Sequence, residues 1–484
     1  MKVAICHLKV EHGQKQRNLE RLITYLHSAA EEGADLIVTP ELSLSGYSYP
    51  STDAIRKVAE TVPGKATARV AAIARCFGCF ICVAMAERDD NRGRVYNSVV
   101  AIDRQGDIVA RHRKFTAERA WASAGTTLAN SIFDTPWARI GLLICSDSYY
   151  GILPRAMAAQ GAELLLVPAN WPPGNLDPRE VWSARARENH MFIAINNRTG
   201  KDLKMDCATA VSEVIAPDGN AIMEETSEDS RVFFCDLPTR NIQKIRSNHR
   251  PLQRLNKNAI GEFQQTPDLK QTSLSISFAV CKDQAGVALE EIARWTLSQS
   301  ASSRHLLLLP TGIADVNAVE TLRATARRLD AVICAALPDK RVAVVDSKTG
   351  TKIAKREQIA KTPVLINCNA ARVALISLEQ IGYPEIPYAL SAAGCDMILL
   401  LEERISEAQL NTAAVRSVER LAVAVSTARL AVLFHPPEGH NRWREQRCEK
   451  SGIVTWSVNL DHTRDKTYLP RVDYTRLFEE VQSE

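Results

Sequence analysis

At 484 residues the chain is longer than one hydrophobic core, which stops growing at about 250–300 residues, can serve, so two domains of ordinary size are expected. Its 45% hydrophobic and 24% charged residues match globular averages and exclude a disordered, collagen-like or fibrous chain. Sixty Lys and Arg against 56 Asp and Glu leave a formal charge of +4 over the whole length, without the concentrated basicity that phosphate backbones require, so no nucleic-acid partner is expected.

The longest apolar runs, such as Leu306 to Leu309 and Ile398 to Leu401, are strand-sized and far short of the ~18–20 residues that cross a bilayer, so no membrane partner is expected either. Met1-Lys-Val-Ala-Ile-Cys-His7 enters a strand-like pattern at once, without an apolar stretch and cleavage site, and secretion is not expected. Twelve cysteines are too sparse for a disulfide scaffold; their apolar settings suit reduced thiols and a cytoplasmic location.

In chain order, β-branched runs alternate with Ala-rich helical stretches, the pattern of helices covering sheets. Asn18 to Gly33 reads as an amphipathic helix with Leu19, Leu22, Ile23 and Leu26 on one face, followed by strand Leu36 to Val38. A helix around Ala66 to Cys76 and strands Phe80 to Ala84, Ser98 to Asp103, Ile108 to Arg111 and Arg139 to Ile144 come next. After Cys145 a helix is expected to run to Gln160, then strand Leu164 to Val167, helix Pro178 to His190, strand Met191 to Asn196, and a hairpin turning at Pro217-Asp-Gly219. From about Arg240 to Thr272 the sequence is polar and aperiodic, placing a first domain at 1–255, a linker at 256–272 and a second domain at 273–484.

The second domain reads as a shortened copy of the first. Arg139-Ile-Gly-Leu-Leu-Ile-Cys145 corresponds to Arg372-Val-Ala-Leu-Ile-Ser-Leu378, and Gly161-Ala-Glu-Leu-Leu-Leu-Val to Gly394-Cys-Asp-Met-Ile-Leu-Leu, every pair 233 positions apart. Asp35-Leu-Ile-Val-Thr-Pro40 corresponds to His305-Leu-Leu-Leu-Leu-Pro310 at a shifted offset, as a change of loop length produces.

Three residues of the first domain fall at carboxyl ends of predicted strands, where α/β sheets gather functional groups. Cys145 ends a buried-type strand before Ser146-Asp-Ser-Tyr149, a turn whose backbone N–H groups can lower a thiol pKa and bind an oxyanion. Glu41 follows Pro40 in Pro40-Glu-Leu-Ser-Leu-Ser-Gly-Tyr47 and has the chemistry of a general base. Lys114 closes Arg111-His-Arg-Lys114, and Glu118 lies four residues on, within reach to orient it. Each alone is more ordinary: a core thiol, a loop carboxylate, a solvated cation.

Together the three segments, in this order, resemble those of the nitrilase (carbon–nitrogen hydrolase) superfamily over most of residues 1 to 260. Tyr96-Asn-Ser98, Glu118 to Trp121, Pro168-Ala-Asn-Trp171 and Arg185-Ala-Arg-Glu-Asn189 are similar too. Where many family amidases carry an aromatic-proline-glutamate run after the nucleophile, this chain has Tyr150-Gly-Ile152. The resemblance implies an αββα four-layer sandwich in two tandem copies, and a cofactor-free, metal-free thiol hydrolase of a small non-peptide C–N bond, an amide first, a carbamoyl compound or nitrile as alternatives. Cys145 becomes the nucleophile, Glu41 the base, Lys114 and the Ser146 N–H the oxyanion holders, and Glu118 the lysine's support. Trp171, Asn170, Tyr149 and Tyr47 are the pocket-lining candidates. Thr311, Gln358 or a neighbour, and Leu378 align with Glu41, Lys114 and Cys145, so the second copy is expected to be inactive and to pair with the first as an intrachain pseudo-dimer, helix 152–160 facing helix 384–393; a further homo-oligomer stays open. The rival reading of another class is a non-catalytic binding or assembly protein.

Overall fold

Strands buried on both faces need cover on both sides, and the first half supplies it from amphipathic helices. The computed structural model describes residues 1–174, 177–238, 242, 245, 272–280, 305–310, 318–337, 340–368, 371–438 and 442–466. They gather in two compact units, the first reaching residue 245 and the second holding 272–466. Residues 256–271 of the expected linker lie outside the described residues.

In the first unit β1 (Lys2–His7), β2 (Leu36–Val38) and β3 (Phe80–Asp89) run parallel as β1-β2-β3 in the middle of a six-stranded sheet, with β4 (Arg94–Ile102) and β5 (Ile108–Arg113) on one side and β12 (Arg231–Asp236) on the other. Of the helices α1 (Lys15–Glu31), α2 (Thr52–Arg56) and α3 (Lys65–Phe77), α1 and α3 lie on this sheet. Leu19, Leu22 and Leu26 of α1 and Val70, Ile73 and Ala74 of α3 recur every three or four residues and bury against Ala4, Cys6, Ile37 and Ile81. Each such leucine contributes about 1.5–3 kcal/mol of burial.

The second sheet has the order β11-β10-β9-β8-β7-β6, formed by β6 (Ile132–Asp134), β7 (Arg139–Leu142), β8 (Leu164–Pro168), β9 (Phe192–Asn196), β10 (Ser212–Ile215) and β11 (Ala221–Glu225). Its middle strands β7, β8 and β9 are parallel. Helices α4 (Ile152–Ala159) and α5 (Pro178–Asn189) pack on each other, and α5 rests on β9 and β10. Across the sandwich His7 Nδ1 lies 2.9 Å from the Ser212 hydroxyl, and Asn196 Nδ2 donates to the Val38 carbonyl. The four layers follow the expected order.

The expected continuous helix from Cys145 to Gln160 is broken. A 3-10 turn, Cys145–Ser148, precedes α4 because Cys145 takes a left-handed φ of 46° and the Asp147 carboxylate accepts from the Ile144 N–H. The first helix also begins earlier than predicted, at Lys15, and ends at Glu31.

The second unit repeats this architecture. One sheet runs β24-β13-β14-β15-β16-β17, with β13 (Ser273–Val280), β14 (His305–Leu309), β15 (Val332–Ala336), β16 (Arg341–Asp346), β17 (Gly350–Lys355) and β24 (Gly452–Asn459). The other runs β18 to β23 in sequence order: β18 (Val364–Cys368), β19 (Ala371–Ile376), β20 (Met397–Leu401), β21 (Ala422–Ser426), β22 (Ala431–Phe434) and β23 (Glu445–Cys448). Ile276, Phe278 and Leu306 of one sheet meet Val373, Leu375 and Met397 of the other in a shared core, and helix Ala318–Leu329 covers the outer face of the first.

The repeat holds at atomic detail. Gly161 and Gly394 adopt φ of 86° and 85° after helices Ile152–Ala159 and Glu385–Ala392. Glu163 accepts from the Arg139 N–H at 2.8 Å, and Asp396 from the Arg372 N–H at 2.9 Å. Among the described residues no helix is long and apolar enough to cross a membrane.

Candidate active site

Three of the candidate residues sit just beyond strand ends of the first unit. Glu41 lies three residues past β2, Lys114 directly follows β5, and Cys145 opens the 3-10 turn three residues past β7. Leu42 (φ 52°) and Cys145 (φ 46°) both occupy the left-handed region that residues other than glycine rarely enter, at a cost on the order of 1–3 kcal/mol each. Packing around Glu41 and bonds around Asp147 hold them there.

Lys114 Nζ lies 2.6 Å from Glu41 Oε1 and 2.6 Å from Glu118 Oε1, so one ammonium bridges two carboxylates. The Glu41 and Lys114 side chains are all but inaccessible, and Glu118 is only 11% exposed. Asn97 Nδ2 adds a 2.7 Å bond to Glu41 Oε1, and the Asn170 backbone N–H a 2.8 Å bond to Glu41 Oε2. Asn170 Nδ2 donates back to the Glu41 carbonyl at 3.1 Å, which fixes the orientation of its amide.

Burial, reinforced by the Glu118 charge, raises the Glu41 pKa despite Lys114. Burial works against the Lys114 ammonium, but Glu118 and Glu41 outweigh it and hold the lysine firmly protonated. The Cys145 thiol is pushed well up, first by burial and then by Glu41, with Lys114 and the Asn170 N–H opposing. The thiol thus interacts electrostatically with Glu41, Lys114 and Glu118 alike. The depressed pKa anticipated from the turn's N–H groups does not materialise, because a buried sulfur beside a carboxylate gains more from its proton than from those dipoles.

The remaining sequence candidates gather around this cluster. Tyr47 lies beneath Lys114, its ring centroid 5.7 Å from Nζ. Trp171 follows Asn170; its N–H donates to Asn197 Oδ1 at 3.0 Å, and its ring is 6.1 Å from Tyr149 and 5.3 Å from Trp182. The Ser146 hydroxyl is 2.7 Å from Thr116 Oγ1, tying the 3-10 turn to the loop after Lys114.

Residues 2–247 match the sequence profile of the family described as carbon-nitrogen hydrolase, half the chain. The chain belongs to the carbon–nitrogen hydrolase family. This hydrolase is 35% identical over 212 residues, 42% of its length and 72% of the relative's, to a hydrolase encoded in the pqqF 5' region of Pseudomonas protegens. It is 26% identical over 246 residues, 48% of its length and 87% of the relative's, to omega-amidase NIT2 of Xenopus tropicalis. The crystal structure of an amidase from Nesterenkonia sp. aligns at 24% identity and a TM-score of 0.44, covering 51% of this chain and 94% of that one.

Three residues without an expected role shape this cluster. Asn97 is a polar interruption of the apolar strand β4, and that interruption was the signal available. His112 and Asp147 form a fully buried pair at 2.8 Å, with the other His112 nitrogen 2.9 Å from the Ser131 hydroxyl. Asp147 also accepts from the Phe115 and Thr116 N–H groups at 3.1 and 2.8 Å, so it anchors the stretch beside Lys114 to the turn that carries Cys145. Strand alternation puts His112 on the same inward side as Lys114, a legible clue. Not all the described cysteines have the apolar settings read from the sequence: Cys76 is exposed at the end of α3 and Cys448 is half-buried, while Cys281 lies outside the described residues.

Proposed function

We propose that the first unit hydrolyses small non-peptide amides through a thioester on Cys145. The observation that carries this reading is the single ammonium of Lys114 held 2.6 Å from both Glu41 and Glu118, beside a thiol that interacts with all three. Two carboxylates sharing one cation have room for an added proton. Glu41, whose proton affinity burial has already raised, is the member suited to take it.

In the proposed cycle the Cys145 sulfur attacks the carbonyl carbon while its proton passes to Glu41. Lys114 and the Ser146 N–H hold the oxyanion, an interaction that strengthens as charge develops. Collapse breaks the C–N bond as Glu41 protonates the leaving nitrogen, and the amine departs from a thioester. Glu41 then removes a proton from water, whose oxygen attacks the thioester. Loss of the thiolate and its reprotonation by Glu41 restore the enzyme and release a carboxylic acid. Glu118 keeps Lys114 in place, and Trp171, Tyr149, Tyr47 and Asn170 bound the substrate space. Two buried acceptors next to Glu41, Asn97 Oδ1 and Asn170 Oδ1, lack partners among the described residues and suit the N–H groups of an unsubstituted amide.

Ammonia release across primary amides, ureido acids and nitriles tests the substrate class. The amides are expected to turn over fastest, with an acyl adduct on Cys145 visible by intact-mass analysis after rapid acid quench. An adduct elsewhere, or hydrolysis confined to nitriles or ureido acids, overturns the assignment. The same residues in the second unit would be Leu378 in place of the nucleophile and Thr311 in place of the base, the latter outside the described residues, and we infer that this unit is catalytically inactive.

A further inference from the structure

The second unit keeps a hollow where the first keeps its reactive cluster. Backbone register identifies the position. The Lys114 N–H donates to the Asn97 carbonyl at 2.8 Å, and at the corresponding strand end the Arg356 N–H donates to the Lys340 carbonyl at 3.0 Å. The sequence alignment pointed to Gln358 or a neighbour; the structure puts Arg356 there. The 3-10 turn Cys145–Ser148 has its counterpart in the short helix Leu378–Ile381, so Leu378 stands where Cys145 does. Ala169 after β8 corresponds to Glu402 after β20: their N–H groups donate to the Asn196 and Ser426 carbonyls at 2.8 and 3.0 Å.

Arg356, Leu378 and Glu402 all line one cavity of about 340 Å³, floored by Val342, Ile359 and Leu375. That volume suits a compact organic molecule. Arg356 Nη1 donates to Glu402 Oε2 at 2.9 Å, and the Leu378 N–H to Glu402 Oε1 at 3.2 Å. Arg356 Nη2 is buried and has no partner among the described residues, a costly condition for a charged donor in a folded interior. Burial raises the Glu402 pKa, with Arg356 opposing.

We propose that this cavity is a binding site for a small uncharged carboxamide, whose carbonyl oxygen accepts from the Arg356 guanidinium and whose N–H donates to Glu402. The charges select this class. Glu402 already balances Arg356, and Glu357 and Glu379 at the lip add two more carboxylates, so a free carboxylate is repelled. A bare amine lacks an acceptor for the guanidinium. The hydrocarbon part of the ligand lies on the aliphatic floor. With Leu378 at the nucleophile position the bound amide is held without being cleaved. This site stands on the second unit's own residues and does not depend on the chemistry proposed for the first.

The test uses the full chain carrying Cys145→Ala, so that no probe is consumed, titrated with propionamide, propionate and propylamine by calorimetry. Propionamide is expected to bind at a site that Arg356→Met weakens by about tenfold or more, the loss of a hydrogen bond from a charged donor. Leu378→Trp, which fills the cavity, is expected to abolish the same site. Propionate and propylamine are expected to bind there more weakly than the amide. If the first unit binds amides too, two sites are seen and only one responds to these variants; if it does not, the single site responds, so the two proposals fail separately. In the unsubstituted chain a diazirine-bearing propionamide is expected to label peptides spanning 356–360 or 375–379, a readout that survives any folding defect of the variants. Propionamide binding indifferent to both folded variants, tighter binding of propionate at this site, or no label on those peptides overturns the proposal.

Discussion

At the same strand ends the two units hold different inner surfaces on one backbone. In the first, an ammonium bridges two carboxylates beside a thiol, and Asn97 and Asn170 close around Glu41. In the second, a guanidinium pairs with a single carboxylate from another strand beside a leucine, and an open cavity remains. Yet the supporting frame is shared: Arg185 Nε donates to the Ser148 carbonyl at 3.1 Å and Arg416 Nε to the Ile381 carbonyl at 3.0 Å, each arginine fully buried and paired with a glutamate three residues on. The contrast teaches that main-chain bonds and buried Arg–Glu pairs define this scaffold, while the two units differ in a handful of strand-end side chains.

The largest effect that can break the comparison is at the thiol. Cys145→Ala is expected to lower kcat on the order of 10⁴-fold or more, and adding Leu378→Cys to that variant is expected to restore nothing, since the neighbouring carboxylate, Glu402, is already held by Arg356 Nη1 and by the residue 378 N–H; steady-state ammonia release decides. Next comes the cation. Lys114→Met removes the ammonium that the proposed oxyanion needs and leaves Glu41 and Glu118 facing each other, for a loss on the order of 10³-fold in kcat at unchanged circular dichroism.

The buried Asp147 is an expected stability determinant. Asp147→Ala leaves His112 and the Phe115 and Thr116 N–H groups without their partner, at about 3–5 kcal/mol in chemical unfolding. Because burial is outweighed by His112 and the N–H donors, the Asp147 pKa lies below 3.8 in the folded state. Its contribution is therefore present above pH 3.8, the unfolded value, and is lost as pH falls through the lower folded value, so the variant is expected to lose less stability over that acid range than the parent does.

Smaller changes sharpen the likeness of the frames. Glu163→Ala and Asp396→Ala each strip the acceptor from a strand-start N–H, and each is expected to cost about 1–3 kcal/mol, Asp396 more because Thr463 Oγ1 also donates to it at 2.7 Å. Smallest is a shift of pH profile. The Glu118 charge raises the Glu41 pKa, so Glu118→Gln is expected to move the acid limb of kcat/KM to lower pH; a shift to higher pH removes Glu41 from the role of base.

Much of this was legible along the chain. Periodic leucines named α1, apolar runs named the parallel strands, and the 233-residue spacing of Arg139 and Gly161 from Arg372 and Gly394 announced two copies, because a glycine at positive φ and an acid capping a strand start are local demands. Residue types at three strand ends, matched to a family pattern, marked Glu41, Lys114 and Cys145 as candidates. Folding alone decided the rest. Whether Asn97 touches Glu41, whether His112 finds Asp147, and whether the Cys145 thiol rests protonated depend on side chains brought together from strands far apart in sequence and on the burial that amplifies their charges. Arg356 likewise became the counterpart of Lys114 only through strand register, which no spacing of letters specifies once loops have changed length.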